Sequence, residues 1–294
     1  MFYRRKVILG LIELLGGEVE KLRFQKLLFL YAMKKQIPEY DFVPYKFGCY
    51  SYSAKADMNT MVKKGFLLES ENKYEKADTA NYFKELKVAD RQLLNEVVAD
   101  YGSMSINALI KHTYLNFPFY AIRSTIAKDV LPGVLYERVE KARPKEEETT
   151  LFTIGYEGIS LEKYLQKLVQ NNVKLLVDVR KNPLSMKFGF SKTLLKRYCD
   201  SLGIEYLHIP EVGINSDKRQ QLETQADYDR LFTDYRKTTL SETREAQQHI
   251  LGLLKQHKRI ALTCFEAEPC QCHRSHLADV IEQSPDFSYQ LKHL

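Results

Sequence analysis

Eleven consecutive residues, Cys264-Phe265-Glu266-Ala267-Glu268-Pro269-Cys270-Gln271-Cys272-His273-Arg274, bring together three thiols, two carboxylates, an imidazole and a guanidinium. Such a set suits several chemistries. A thiolate cradled by backbone N–H groups, with an arginine and a helix N-terminus nearby, suits sulfur transfer or phosphatase-like chemistry. If Cys272-His273-Arg274 opens a helix, the Cys272 thiol pKa is expected to be depressed. Glu266 beside His273 suits general acid–base work in glycosidic or phosphodiester hydrolysis. Cys264, Cys270, Cys272 and His273 are four soft donors of the kind zinc takes. Against zinc, Cys272 and His273 are adjacent and paired C-x-x-C arms are absent, so no metal or other cofactor is expected. Cys264 ends an apolar run and reads equally well as a buried structural cysteine.

These residues need a frame. The run Arg259-Ile260-Ala261-Leu262-Thr263 before them reads as a buried strand, and Ser275 to Glu282 after them as a helix. Upstream, Leu151 to Gly155 is a strand, Ser160 caps a helix to Asn171, and Lys174 to Val179 is a second buried strand. Ser191 to Leu202 is a helix, Tyr206 to Ile209 a third strand, Glu242 to Gln256 a helix, and Phe287 to Leu291 a last strand. Strands alternating with amphipathic helices imply a parallel α/β sheet of Rossmann-like type covered on both faces.

In such a sheet the loops after the strands open on one edge, where ligands usually sit. Three loops therefore converge: Gly155-Tyr156-Glu157-Gly158, Asp178-Val179-Arg180-Lys181-Asn182-Pro183-Leu184-Ser185, and the cysteine segment. Arg180 and Arg274 suit two-pronged binding of a phosphate or carboxylate. Asp178 and Arg180 read equally as a structural ion pair. Tyr156, Phe188 and Phe190 can stack on a base while Lys187 meets a phosphate, although packing beneath the loop explains the phenylalanines slightly better. His208 reads as a satisfied structural histidine, and Glu211 as a weak site candidate. The expected catalytic set is Glu266, Cys272, His273, Cys264 and Asp178. The expected ligand-binding set is Tyr156, Arg180, Asn182, Ser185, Lys187 and Arg274.

Thr153 to Gly158, the Asp178-Val179-Arg180 to Pro183-Leu184-Ser185 motif, and Cys264-x-Glu266 followed by Cys272-His273-Arg274 together resemble family 488 of the domains of unknown function. The resemblance covers residues 151 to about 292, with the three motifs in the right order. It implies an α/β domain, a polar site at these loops and a nucleic-acid context. Cys270 is extra relative to the family pattern. Val212-Gly213-Ile214 stands where that pattern commonly has Leu-Gly-Gly, which is expected to alter one wall of the site.

The first half is mostly helical. Tyr3 to Leu15, Lys21 to Lys35 and Ser53 to Lys64 read as helices. Phe66 to Ser70 and Tyr74 to Ala77 flank a polar turn and read as a hairpin. This is the order of a winged helix-turn-helix. Helices are also expected over Ala89 to Tyr101, Ser105 to Thr113 and Pro118 to Lys128. Phe24 to Tyr31, with Val43 to Gly48 and Tyr50-Ser51, resembles the N-terminal part of Panacea-type, SocA-like domains of antitoxins and phage-associated proteins. Those usually have Gly-Pro where this chain has Gly48-Cys49. Lys46, Tyr50, Tyr52, Lys55, Lys63 and Lys64 form the expected nucleic-acid-binding face, with protein–protein contact as the alternative use. The charged stretch around Pro144 reads as a linker, dividing a domain over 1–142, a linker over 143–150 and a domain over 151–294.

The 294 residues suffice for two domains, and 44% hydrophobic with 28% charged residues is ordinary globular composition. No apolar run reaches the roughly 18 residues that span a bilayer. The start imitates a signal peptide only until Glu13, so a cytoplasmic protein is expected. Three of the five cysteines crowd the one loop, which fits reduced or reactive thiols better than a disulfide framework. A net charge of +6 allows nucleic-acid binding through a local patch without demanding it. The expected function is nucleic-acid binding, DNA before RNA, with the α/β domain processing or recognising a nucleotide or a modified or damaged base in DNA processing, repair or defence. One alternative is a non-enzymatic transcriptional or antitoxin-like regulator sensing a small ligand or redox state. Another is a thiol or sulfur transferase.

Overall fold

The computed structural model describes residues 1–215 and 224–294, which divide into two compact units, Met1–Arg143 and Pro144–Leu294. Among the described residues, no helix is long and apolar enough to cross a membrane.

The C-terminal unit is a five-stranded, all-parallel sheet with helices around it. Its strands are β6 (Thr150–Gly155), β7 (Leu175–Asp178), β8 (Glu205–His208), β9 (Arg259–Cys264) and β10 (Gln290–His293), in the order β10-β6-β9-β7-β8. Every residue of β6, β7 and β9 is buried, while the edge strands β8 and β10 are partly exposed. That is why the inner strands are legible as continuous apolar runs. The helices are α8 (Leu161–Gln170), α9 (Lys192–Ser201), α10 (Gln225–Lys237), the single turn α11 (Thr239–Glu242), α12 (Arg244–His257) and α13 (His273–Glu282). Ser160 caps α8 by accepting from the Lys163 N–H at 3.1 Å, and Leu161, Tyr164, Leu165 and Leu168 form its buried stripe. The α/β, Rossmann-like class expected of this half is what the sheet shows. The charged stretch before β6 lies against this unit, because Asn172 donates to the Glu146 carbonyl at 2.9 Å and Arg259 to the Glu148 carbonyl at 2.8 Å.

In the N-terminal unit, α1 (Tyr3–Leu14), α2 (Lys21–Met33) and α3 (Tyr52–Lys63) surround a core that includes Ile8, Leu11, Phe24, Leu28, Met58 and Met61. A short strand β1 (Glu18–Glu20) joins the hairpin of β4 (Leu67–Glu69) and β5 (Lys73–Lys76) in the antiparallel order β1-β5-β4. The aromatic stretch between α2 and α3 forms a separate hairpin, β2 (Val43–Tyr45) with β3 (Gly48–Tyr50). Gly48 has φ +91°, and a Cβ there would come within 2.5 Å of the Lys26 Nζ, so the turn needs glycine on both counts. The helices α4 (Val88–Tyr101) and α5 (Ile106–Asn116) follow.

The helix expected over Pro118 to Lys128 is broken into a 3₁₀ turn at Pro118–Ala121 and the single turn α6 (Ala127–Val130). Between them Thr125 donates its N–H and hydroxyl to the Lys46 carbonyl, and Ser124 bonds the Tyr114 hydroxyl at 2.7 Å. These polar partners replace helical pairing. A further helix, α7 (Val134–Lys141), closes the unit.

Candidate functional site

The ends of β6, β9 and β7 lie side by side, with Gly155 opposite Cys264 and Asp178 opposite Thr263. Their three loops are stapled together. Tyr156 and Glu157 donate their N–H groups to the Phe265 carbonyl at 3.0 and 2.9 Å, and Ala267 N donates to Glu157 Oε2 at 3.0 Å. Gly155 is required by this approach, because a Cβ there would overlap the Glu266 carbonyl oxygen. The loops enclose a cavity of about 320 Å³ lined by Tyr156, Arg180, Lys181, Asn182, Ser185, Cys264, Phe265 and His273, with Leu184 and Ile214 completing its walls.

On one side of the cavity the charges are already occupied. The Asp178 carboxylate is fully buried and accepts from Arg180 Nε at 2.8 Å, Arg180 Nη2 at 2.5 Å and the Tyr206 hydroxyl at 2.6 Å. Arg180 Nη1 donates to the Tyr156 hydroxyl at 2.8 Å and the Phe190 carbonyl at 2.9 Å. Burial disfavours the guanidinium charge, and Asp178 more than offsets that, so its pKa is raised. Burial, reinforced by Asp178, likewise pushes the Tyr206 phenol up. Asp178 is thus placed as an anchor for Arg180, not as an open base. His208 donates from Nε2 to the Arg180 carbonyl at 2.9 Å, and its Nδ1 faces Lys192 Nζ at 3.0 Å.

Of the aromatic groups, Phe190 packs beneath the loop, the reading slightly favoured for it. Tyr156 is buried and stacks face-on against the fully buried Phe190, with centroids 4.2 Å apart and planes 9° from parallel. One ring face is therefore covered. Phe188 is 40% exposed but does not line the cavity, whereas Phe265 is 41% exposed and does. Phe265, Lys181 and Leu184 are cavity residues absent from the expected catalytic and ligand-binding sets. The signal available was their place in the strand-end loops: Phe265 directly follows the last residue of β9, and Lys181 and Leu184 lie within the loop after β7.

Around β9 the groups converge. Cys264 Sγ lies 3.2 Å from Glu266 Oε2 and 3.4 Å from His273 Nδ1. His273 Nε2 donates to the Val179 carbonyl at 3.0 Å, so in the neutral ring Nδ1 carries the lone pair facing the thiol. Cys272 is the N-cap of α13 with extended backbone, φ −133° and ψ 135°. That break lets adjacent Cys272 and His273 point to one place, and their donor atoms and Cys264 Sγ all lie within 4.8 Å of one another. These three could hold a metal ion; Cys270 is exposed on a 3₁₀ turn apart from them. Burial pushes the Cys272 thiol well up, so the depression expected from its helix N-terminus is overridden.

Two expected cationic ligands are held within the protein. Arg274 is fully buried and donates to the carbonyls of Glu266 at 2.5 Å and Ala267 at 2.9 Å, tying the cysteine loop to its helix. Lys187 donates to the Tyr156 carbonyl at 2.5 Å, and burial lowers its pKa. In the N-terminal unit, Lys46, Lys63 and Lys64 are exposed. Lys55 instead bonds Glu69 at 2.9 Å and the Tyr74 hydroxyl at 2.6 Å. Tyr50 and Tyr52 form a ring cluster with Tyr45, with centroids 5.1 to 5.9 Å apart.

Sheet and cavity together define an α/β domain with a ligand-sized pocket of mixed polar and apolar lining at the carboxyl edge of its strands. The family model described as "Domain of unknown function DUF488" matches residues 160–281, wholly within this unit. The matched span carries the loops after β7 and β9, and hence Asp178, Arg180, Cys264 and His273. No curated protein matches the chain.

Proposed function

We propose that this protein binds nucleic acid, DNA in the first instance, and that the C-terminal cavity receives a nucleotide or a modified or damaged base. The observation that carries this is the make-up of that 320 Å³ cavity, which combines half-exposed Phe265, the amide of Asn182, the hydroxyl of Ser185 and the exposed ammonium of Lys181. Its volume is near the lower end of the ~300–1,000 Å³ of small-molecule sites, suited to a base rather than a larger group. An aromatic face, an amide edge and a cation are the elements by which an extruded base and its phosphate are read. Phe265 takes the stacking role and Lys181 the phosphate role. Cys264, His273 and Glu266 adjoin the same space and are the groups available for processing. In the N-terminal unit, Lys46, Lys63 and Lys64 supply the exposed cations for backbone phosphates.

The close contact of Cys264 Sγ and His273 Nδ1 favours thiol transfer as a second reading. One titration separates the two. Labelled single- and double-stranded DNA and RNA are added to the whole protein at several salt concentrations. The nucleic-acid reading expects affinity that falls steeply with salt, and falls further in a Lys63→Glu/Lys64→Glu variant. Absence of binding at low salt would overturn the nucleic-acid reading and turn attention to thiol chemistry.

A further inference from the structure

We infer that Cys264 Sγ, Cys272 Sγ and His273 Nδ1 form a three-ligand site for a thiophilic divalent metal, zinc by preference. All three residues are buried, and their donor atoms lie within 4.8 Å of one another. In a tetrahedral site with Zn–S of about 2.3 Å and Zn–N of about 2.0–2.1 Å, neighbouring ligand atoms are roughly 3.5–3.8 Å apart. The Cys264–His273 separation of 3.4 Å is already close to that edge length. Little rearrangement is needed to close on one ion.

The scaffold is also that of a ligand set. Cys264 is fixed at the end of a fully buried central strand, and Cys272 and His273 at the start of a ten-residue helix. The Nε2–H of His273 is anchored on the Val179 carbonyl, which fixes the ring and leaves Nδ1 as the ligating nitrogen. Two thiols with an imidazole select zinc over hard cations such as magnesium or calcium. On binding, two S–H bonds give way to two metal–sulfur bonds, and the two protons pass to solvent. Cys264 and His273 line the cavity, so the fourth coordination position opens toward it, with the Glu266 carboxylate beside Cys264. This site stands on its own geometry and does not depend on the nucleotide reading.

The test uses the full chain, purified without chelators. Its metal content is measured by elemental analysis, and Co²⁺ is then titrated into metal-stripped protein. The expected result is about one equivalent of zinc per chain and a thiolate-to-cobalt charge-transfer band. Cys272→Ser and His273→Ala lose at least about tenfold in metal affinity, whereas Cys270→Ser retains it. If either ligand variant fails to fold, the wild-type cobalt titration still decides. Folded wild-type protein with neither retained metal nor a cobalt band would overturn the site. So would metal binding that survives Cys272→Ser and His273→Ala, or a Cys264–Cys272 disulfide in place of metal.

Discussion

Asp178 and Arg180, at the end of β7, close on each other and on Tyr156 and Tyr206, whereas Cys264, Cys272 and His273, around β9, bring their donor atoms to one place. Both loops look equally reactive as residue lists. The first uses its charges to hold the sheet edge in shape. The second gathers soft donors beside a cavity. A charged strand-end motif therefore tells where a site lies, but only its partners tell whether it is wall or working group.

Loss of the Asp178 carboxylate is expected to cost the C-terminal unit most. Asp178→Ala leaves the buried Arg180 guanidinium without its counter-charge and is expected to destabilise the C-terminal unit by about 3–5 kcal/mol. Chemical denaturation measures this, and a loss below about 1 kcal/mol would mean that Arg180 has another anion available. Arg274→Ala removes two donors from the carbonyls of Glu266 and Ala267, and about 1.5–3 kcal/mol is expected to go with them.

Thiol reactivity sharpens the other side without touching stability. Cys49, Cys199, Cys264 and Cys272 are buried and Cys270 is exposed. Burial raises the thiol pKa of Cys49 and Cys199, which holds them in the unreactive protonated form at neutral pH, and Cys264 and Cys272 are covered as well. Iodoacetamide is expected to label Cys270 alone in the native protein, with the others following on denaturation. Rapid labelling of Cys264 or Cys272 in the native state would favour sulfur transfer.

Much of the frame was legible in the sequence. β6 and β9 read as strands because they are buried on both faces, and α8 announced itself through its Ser160 cap and apolar stripe. α10 was not legible, since only Leu231, Phe232 and Tyr235 of its thirteen residues are buried among many charges. The last strand was expected at Phe287 to Leu291 but pairs at Gln290–His293, because an edge strand with a solvated face carries little apolar signal. Convergence of the three loops followed from the strand–helix alternation. The Asp178–Arg180 pair was legible as one of two readings, but its further partners were not, because they are remote in the chain: Tyr206 lies 28 residues from Asp178, and Val179 lies 94 from His273. The adjacency of Cys272 and His273 argued against a shared focus until the extended N-cap backbone brought them to one.

The substitution with the smallest expected effect on stability bears on the cavity itself. Phe265→Ala removes a half-exposed ring that supports little of the core, so stability is expected to hold. Stacking of a base on an aromatic face is worth about 1–3 kcal/mol. Calorimetric titration of nucleoside monophosphates into wild-type and Phe265→Ala protein, at equal low salt, is the direct measurement. Binding by the wild type that weakens about tenfold in the variant is the predicted result. Equal affinity in both, or none in either, would contradict a base-binding cavity.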